Sequence, residues 1–151
     1  MSTTPYPYNQ QKTTRYEFSS EGPQSTIVKI VEFVPLDVPG IENIGFGDIQ
    51  PDGSISDLAE SNNNDFSRVI STVLAIIKDY SLRKPEVKII FKGSNGQRTR
   101  VYEAILRRYF KNFSGEFEIT ALILEDTHFK EVVFELDSEA KYFAFLVKRI
   151  I

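Results

Sequence analysis

Cysteine is absent from the 151-residue chain, and histidine and methionine occur once each. Without cysteine there are no disulfides and no thiolate chemistry, so the sequence points to a reducing, cytoplasmic setting. A lone histidine, His128, excludes a histidine-rich metal site and argues against a Ser-His-Asp triad. No apolar run approaches the length of a membrane span. The opening MSTTPYPYNQQ lacks the apolar segment of a signal peptide. Excess positive charge is missing too: the net charge of -3 excludes a globally basic nucleic-acid binder, though not a local basic patch. With 41% hydrophobic and 26% charged residues, the chain has the composition of a globular domain with a real core.

The charge is unevenly spread. Between positions 92 and 111 lie Lys92, Arg98, Arg100, Arg107, Arg108 and Lys111, against Glu103 as the one acid. From 116 to 139 eight acids face Lys130. This is a basic stripe inside an acidic protein, and it also fits two solvated faces of opposite sign.

Residues 1–13 are rich in Ser, Thr, Pro, Tyr and Gln without periodicity, and read as a flexible arm. Residues 14–151 read as one domain. Strands are expected at 14–19, 25–34 and 41–49. In the second of these, Lys29 interrupts a face formed by Ile27, Val31 and Phe33. Asn62 to Asp65 supplies N-cap chemistry for a helix in which Phe66, Val69, Ile70, Val73, Leu74, Ile77 and Tyr80 form one apolar stripe. A strand at 86–92, a helix at 99–113 and a strand at 116–124 follow. Segments 130–136 and 142–150 read as two more strands, with a helical alternative over 138–148. The class is α+β: a mixed sheet with two helices, in the order βββ-α-β-α-β(ββ).

The junction KIIFKGSNGQRTRVYEAILRRYF, residues 88–110, carries the chemistry. A strand ending in Gly93-Ser94 and feeding a helix leaves backbone N–H groups unpaired at a positively polarised helix start. Gly93 and Gly96 allow close approach of a ligand, while Arg98 and Arg100 add forked cationic donors. At 100° per residue, Arg98 shares a stripe with Tyr102, Ile105 and Tyr109, which faces the sheet. Arg100 heads an outer row with Ala104, Arg107, Arg108 and Lys111. In this reading Ser94 and the backbone cradle a phosphate, Arg98 clamps it and Tyr102 braces Arg98. The same residues also fit a capped turn with Arg98 paired to Asp48 or Asp65. The spacing matches neither a P-loop nor a dinucleotide fingerprint.

The stretches GFGDIQPDGSISD, SNNNDFSRVISTVLAII, KGSNGQRTRVYEAI and YFAFLVKR resemble a family of small bacterial proteins, common in Bacteroidetes, with no assigned activity. The resemblance is best over residues 43–110. It implies recurrent positions at Gly47, Asp48, Asn63, Asp65, Gly93, Ser94, Arg98, Arg100 and Tyr102. Family members often carry Thr-Pro where this chain has Asn95-Gly96. The resemblance also implies a toxin–antitoxin or phage-defence context.

Three functions are expected to compete. The first is a binding module for a phosphate-bearing ligand or nucleic acid, with no cofactor, using Gly93, Ser94, Arg98, Arg100 and Tyr102 and the ridge Arg107, Arg108 and Lys111. The second is a nuclease or phosphotransferase in which Asp48 and Asp65 hold Mg²⁺ beside the Gly93 corner. The third is a protein partner of the antitoxin or inhibitor kind. A homodimer is compatible with each. A calcium loop at DIQPDG is disfavoured, because Ala59 stands where a bidentate Glu belongs.

Overall fold

The computed structural model describes residues 4–23, 25–49, 55–57, 66–92 and 96–150. The chain divides into two compact units, Met1–Val34 with Ile44–Arg83, and Pro35–Asn43 with Lys84–Ile151. Residues 14–151 had read as one domain. The fold is α+β with mixed strand pairing, as the alternation of periods predicted.

In the first unit, β1 (Tyr8–Lys12), β2 (Arg15–Gly22), β3 (Ser25–Pro35) and β4 (Ile41–Ile49) are neighbours in that order. The short β5 (Ile55–Asp57) pairs antiparallel with β4. Helix α1 (Phe66–Arg83) buries Val69, Ile70, Val73, Leu74, Ile77 and Tyr80, the stripe its spacing predicted. The Tyr80 ring stacks on Phe33 of β3 with centroids 3.9 Å apart, and both meet Tyr16 of β2 edge-on.

The segment expected to be a flexible arm is tied down over its described part. Tyr8–Lys12 is a strand, and Tyr6 is buried. The Tyr6 ring stacks on Phe18, Arg68 lies 3.9 Å above it, and its N–H donates to Thr72 Oγ1 at 2.8 Å. Arg68 Nε also donates to the carbonyl of Thr4. Arg68 and Thr72 sit on α1, more than sixty residues away in sequence, and local periodicity does not register contacts of that kind.

The second unit takes the first residues of β4 and orders its strands β4-β6-β9-β7-β8, with β6 (Lys88–Phe91), β7 (Phe117–Glu125), β8 (His128–Val133) and β9 (Ala144–Arg149). β4 and β6 run parallel, Ile41 opposite Lys88 through Asn43 opposite Ile90; the remaining pairs here are antiparallel. The turn before β4 uses Gly40 at φ +83°, where a Cβ would be strained.

The expected single helix over 99–113 is two: α2 (Gly96–Arg108) and α3 (Phe110–Ser114). Its buried side is set by Thr99, Tyr102, Leu106 and Phe113, with Ile105 and Tyr109 half-buried, so the inner stripe is rotated slightly from the expected one. Residues 144–149 are strand, and the helical alternative over 138–148 is not realised. Among the described residues no helix is long and apolar enough to cross a membrane.

Candidate functional site

Helix α2 places the basic residues of the second unit. Its first turn holds Thr99 inward, 8% exposed, and sends Arg100 outward into solvent. One turn on, Tyr102 is buried with its ring 5.7 Å from Phe91 of β6 in an edge-on contact. This anchors the helix start against the strand that precedes it. Tyr102 therefore packs inward, on the sheet-facing side where the helical count set it.

The predicted corner is only partly within the described residues. Gly93 and Ser94 lie outside them, as do Asn63 and Asp65. Arg98 is in the first turn of α2, one residue before the inward-facing Thr99. Gly96 is the first residue of the helix, three residues earlier than expected.

The ridge separates into two kinds of residue. Arg107 is engaged by its own unit: Nε donates to Glu103 Oε2 at 3.0 Å, the guanidinium also donates to the carbonyls of Leu136 and Ser138, and it lies 5.2 Å over the Phe134 ring. It fastens the chain after β8 to α2. This departs from the sequence reading, which set it in an exposed ridge. Counting residues on a helical wheel gives the face but not the loop that folds over it. Arg100, Arg108 and Lys111 stay exposed, with Ala104 between the arginines. Among the described residues none of the three is ion-paired, and Arg108 rests 5.8 Å from the ring of its neighbour Tyr109. Lys92, just after β6, is likewise exposed and outside any ion pair among the described residues.

Asp48 belongs to the first unit. Its side chain on β4 is 10% exposed and accepts from Lys29 Nζ on β3, itself 3% exposed, at 2.5 Å. Lys29 is thus a cation beside Asp48. The signal was in the sequence, as a lysine standing at an inward position of an alternating strand. Two charges this far from water persist only because each neutralises the other. Ser20, on the adjacent β2, and Ser67, at the start of α1, are also buried polar residues of this unit.

A second polar group was not foreseen. On the sheet of the second unit, Lys88 Nζ donates to both carboxylate oxygens of Glu131 at 3.1 and 3.0 Å, and Thr120 Oγ1 donates to Glu131 Oε2 at 2.6 Å. The Thr120 hydroxyl first, and then Lys88, hold the Glu131 carboxyl below its ordinary range, while partial burial works against them. In the first unit, burial and the nearby Asp79 carboxylate push the Tyr8 phenol up. His128 opens β8 and is exposed. Among the described residues no group of three or more His, Cys, Asp or Glu is placed to hold a metal ion.

No curated protein and no solved structure shows significant similarity to the chain. A family model matches residues 2–150, nearly the whole chain, and by that match the protein belongs to DUF6934, a family of unknown function.

Proposed function

We propose that the protein is a binding module for a phosphate-bearing polymer, a nucleic acid, engaged by the outer face of α2 and α3. The observation that carries this reading is that Arg100, Arg108 and Lys111 stand in solvent on that face without a carboxylate among the described residues to neutralise them. Several of the chain's other bases are paired with acids: Arg15 with Glu32, Lys29 with Asp48, Lys84 with Glu42, Lys88 with Glu131, Arg149 with Glu116. A protein of net charge -3 that leaves this set unpaired keeps a local positive potential against its global field. Eight residues of helix separate Arg100 from Arg108, roughly 12 Å along the axis. A backbone with regularly spaced phosphates can meet both arginines at once, whereas one small anion cannot. Arg98, in the first turn of α2, and the backbone around Gly96 would extend the contact to the helix start.

The test is fluorescence anisotropy with labelled single- and double-stranded oligonucleotides over a salt series. Three phosphate contacts predict a slope of log K against log salt of about -2.7 for duplex and about -2.1 for single strands. Affinity for duplex should fall roughly 40-fold between 50 and 200 mM salt. Each of Arg100→Ala, Arg108→Ala and Lys111→Ala should lower the magnitude of the slope by about 0.9 on duplex. Absence of binding at 50 mM salt, or a slope that none of the three changes, overturns the reading.

A further inference from the structure

The open edge of β8 provides an interaction surface independent of the basic face. β8 ends the strand order of its unit, and among the described residues no strand pairs with its outer side. Edge strands are normally blunted by short length, charges or bulges, because their unpaired N–H and C=O groups invite a further strand. β1, the first strand in the order of the other unit, is blunted in this way: its sequence is the polar YNQQK, and its register slips between Gln10 and Lys12. β8 is not. Its register with β7 runs unbroken from Glu125 opposite His128 to Thr120 opposite Val133. Its side chains include Phe129 at 61% exposure and Val133 at 68%, two of the most exposed large apolar residues among those described.

The direction of the backbone groups follows from the hairpin. The turn Asp126-Thr127, with Asp126 at φ 56°, closes on Glu125 and His128. Phe134 N–H donates to the carbonyl of Ile119, in the same register. Even-numbered residues of this strand therefore bond to β7, and Phe129, Glu131 and Val133 turn their N–H and C=O groups to the open edge. With period two, their side chains all leave the same face, the one on which Glu131 meets Lys88 and Thr120.

We infer that β8 pairs antiparallel with β8 of a second copy, with Glu131 on the two-fold axis. The arrangement is isologous and uses every outward backbone group. Glu131 exchanges hydrogen bonds with its symmetry mate, and Phe129 lies opposite the partner's Val133, and Val133 opposite the partner's Phe129. Each exposed apolar residue then gains an aromatic–β-branched cross-strand contact. The two Glu131 carboxylates that meet at the axis are each already held by Lys88, 3.0 Å away, and Thr120. Lys130, on the opposite face, comes opposite the partner's Val132, so no like charges are opposed there. Neighbouring registers oppose Lys130 to itself or leave outward groups unpaired. One strand pair falls short of the roughly 1,600 Å² of a standard interface. The association is therefore weak and reversible.

Sedimentation velocity on the full chain, without nucleic acid, over a concentration series up to about 1 mM reads the equilibrium. The wild type should show a reversible monomer–dimer transition. Phe129→Lys combined with Val133→Lys opposes like charges at both pairs and should raise the dissociation constant about 100-fold or more. Phe129→Glu combined with Val133→Lys opposes unlike charges in this register alone and should retain the dimer. Because the chain has no cysteine, Glu131→Cys offers one disulfide and should cross-link under oxidation faster than Lys130→Cys. This variant gives the readout even should the lysine pair impair folding. A chain monomeric throughout, a dimer indifferent to the lysine pair, equal cross-linking at 130 and 131, or a monomer that takes up only a foreign extended peptide each overturn the inference. None of these outcomes bears on whether the basic face binds nucleic acid.

Discussion

Removing either partner of the Lys29–Asp48 pair should destabilise the protein severely, and the two losses should depend on pH with opposite sign. The contact is 2.5 Å long, with side-chain exposures of 3% and 10%, so solvent screens it little. Asp48→Ala leaves a buried ammonium. That group stays charged without a partner, or sheds its proton, which for an ordinary lysine at pH 7 takes about 4–5 kcal/mol. Lys29→Met leaves a buried carboxylate, whose protonation at pH 7 takes about 4 kcal/mol. Both singles should therefore lose about 3–5 kcal/mol, or roughly 6–20 °C in Tm. In Asp48→Ala the unfolded state holds the lysine proton more tightly than the folded state, so stability recovers as pH rises. In Lys29→Met the folded state holds the carboxyl proton more tightly, so stability recovers as pH falls. The double change Lys29→Met with Asp48→Leu removes both charges and should cost less than either single. Urea unfolding at pH 5, 7 and 9, read as a double-mutant cycle, checks all three points. Singles costing under about 1 kcal/mol, or pH slopes of equal sign, would refute the reasoning from burial. The outcome also governs how any loss of activity in an Asp48 variant is read, because unfolding would mimic the loss of a metal ligand.

Arg107→Ala should cost about 1–3 kcal/mol in urea unfolding, by leaving carbonyls and Glu103 without their donor, yet change the salt slope of nucleic-acid binding less than Arg108→Ala. An equal effect on the slope would return Arg107 to the ridge. Tyr16 is fully buried, and its hydroxyl has no hydrogen-bond partner among the described residues. Tyr16→Phe should therefore be neutral or stabilising by about 1 kcal/mol, and a clear drop in Tm would show that the hydroxyl is satisfied. Glu131 has a folded value below its ordinary 4.5, so its contribution is present above that value and disappears as pH falls through the lowered one. Glu131→Gln should cost a few tenths of a kcal/mol at pH 7, since the pair is about one-third exposed. The difference from wild type should shrink in acid unfolding as pH falls through the lowered value; a difference that persisted once the carboxyl is protonated would assign it to packing.

What the sequence determined by itself is the set of elements whose period is local. The stripe Val69, Ile70, Val73, Leu74, Ile77 and Tyr80 made α1 legible because a helix that buries one face must repeat it every three or four residues. The strand Ile41–Ile49 was legible between Pro39-Gly40 and Pro51, because proline has no N–H to give to a ladder. The unevenness of charge along 92–111 was equally local, and it located the exposed Arg100, Arg108 and Lys111.

Tertiary structure decided everything that depends on a partner far along the chain. Residues 8–12 became a strand because β2 receives them and because Thr72 and Arg68 hold the neighbouring Tyr6 and Thr4. Asp48 became half of a buried pair because β3 brings Lys29 to it, and Arg107 left the basic ridge because the chain after β8 offered its carbonyls. In each case the side chain had several chemically equivalent partners in the sequence. The free energy of a charge or a hydrogen-bonding group is set by which one lies within about 3 Å, a distance that composition and periodicity do not encode.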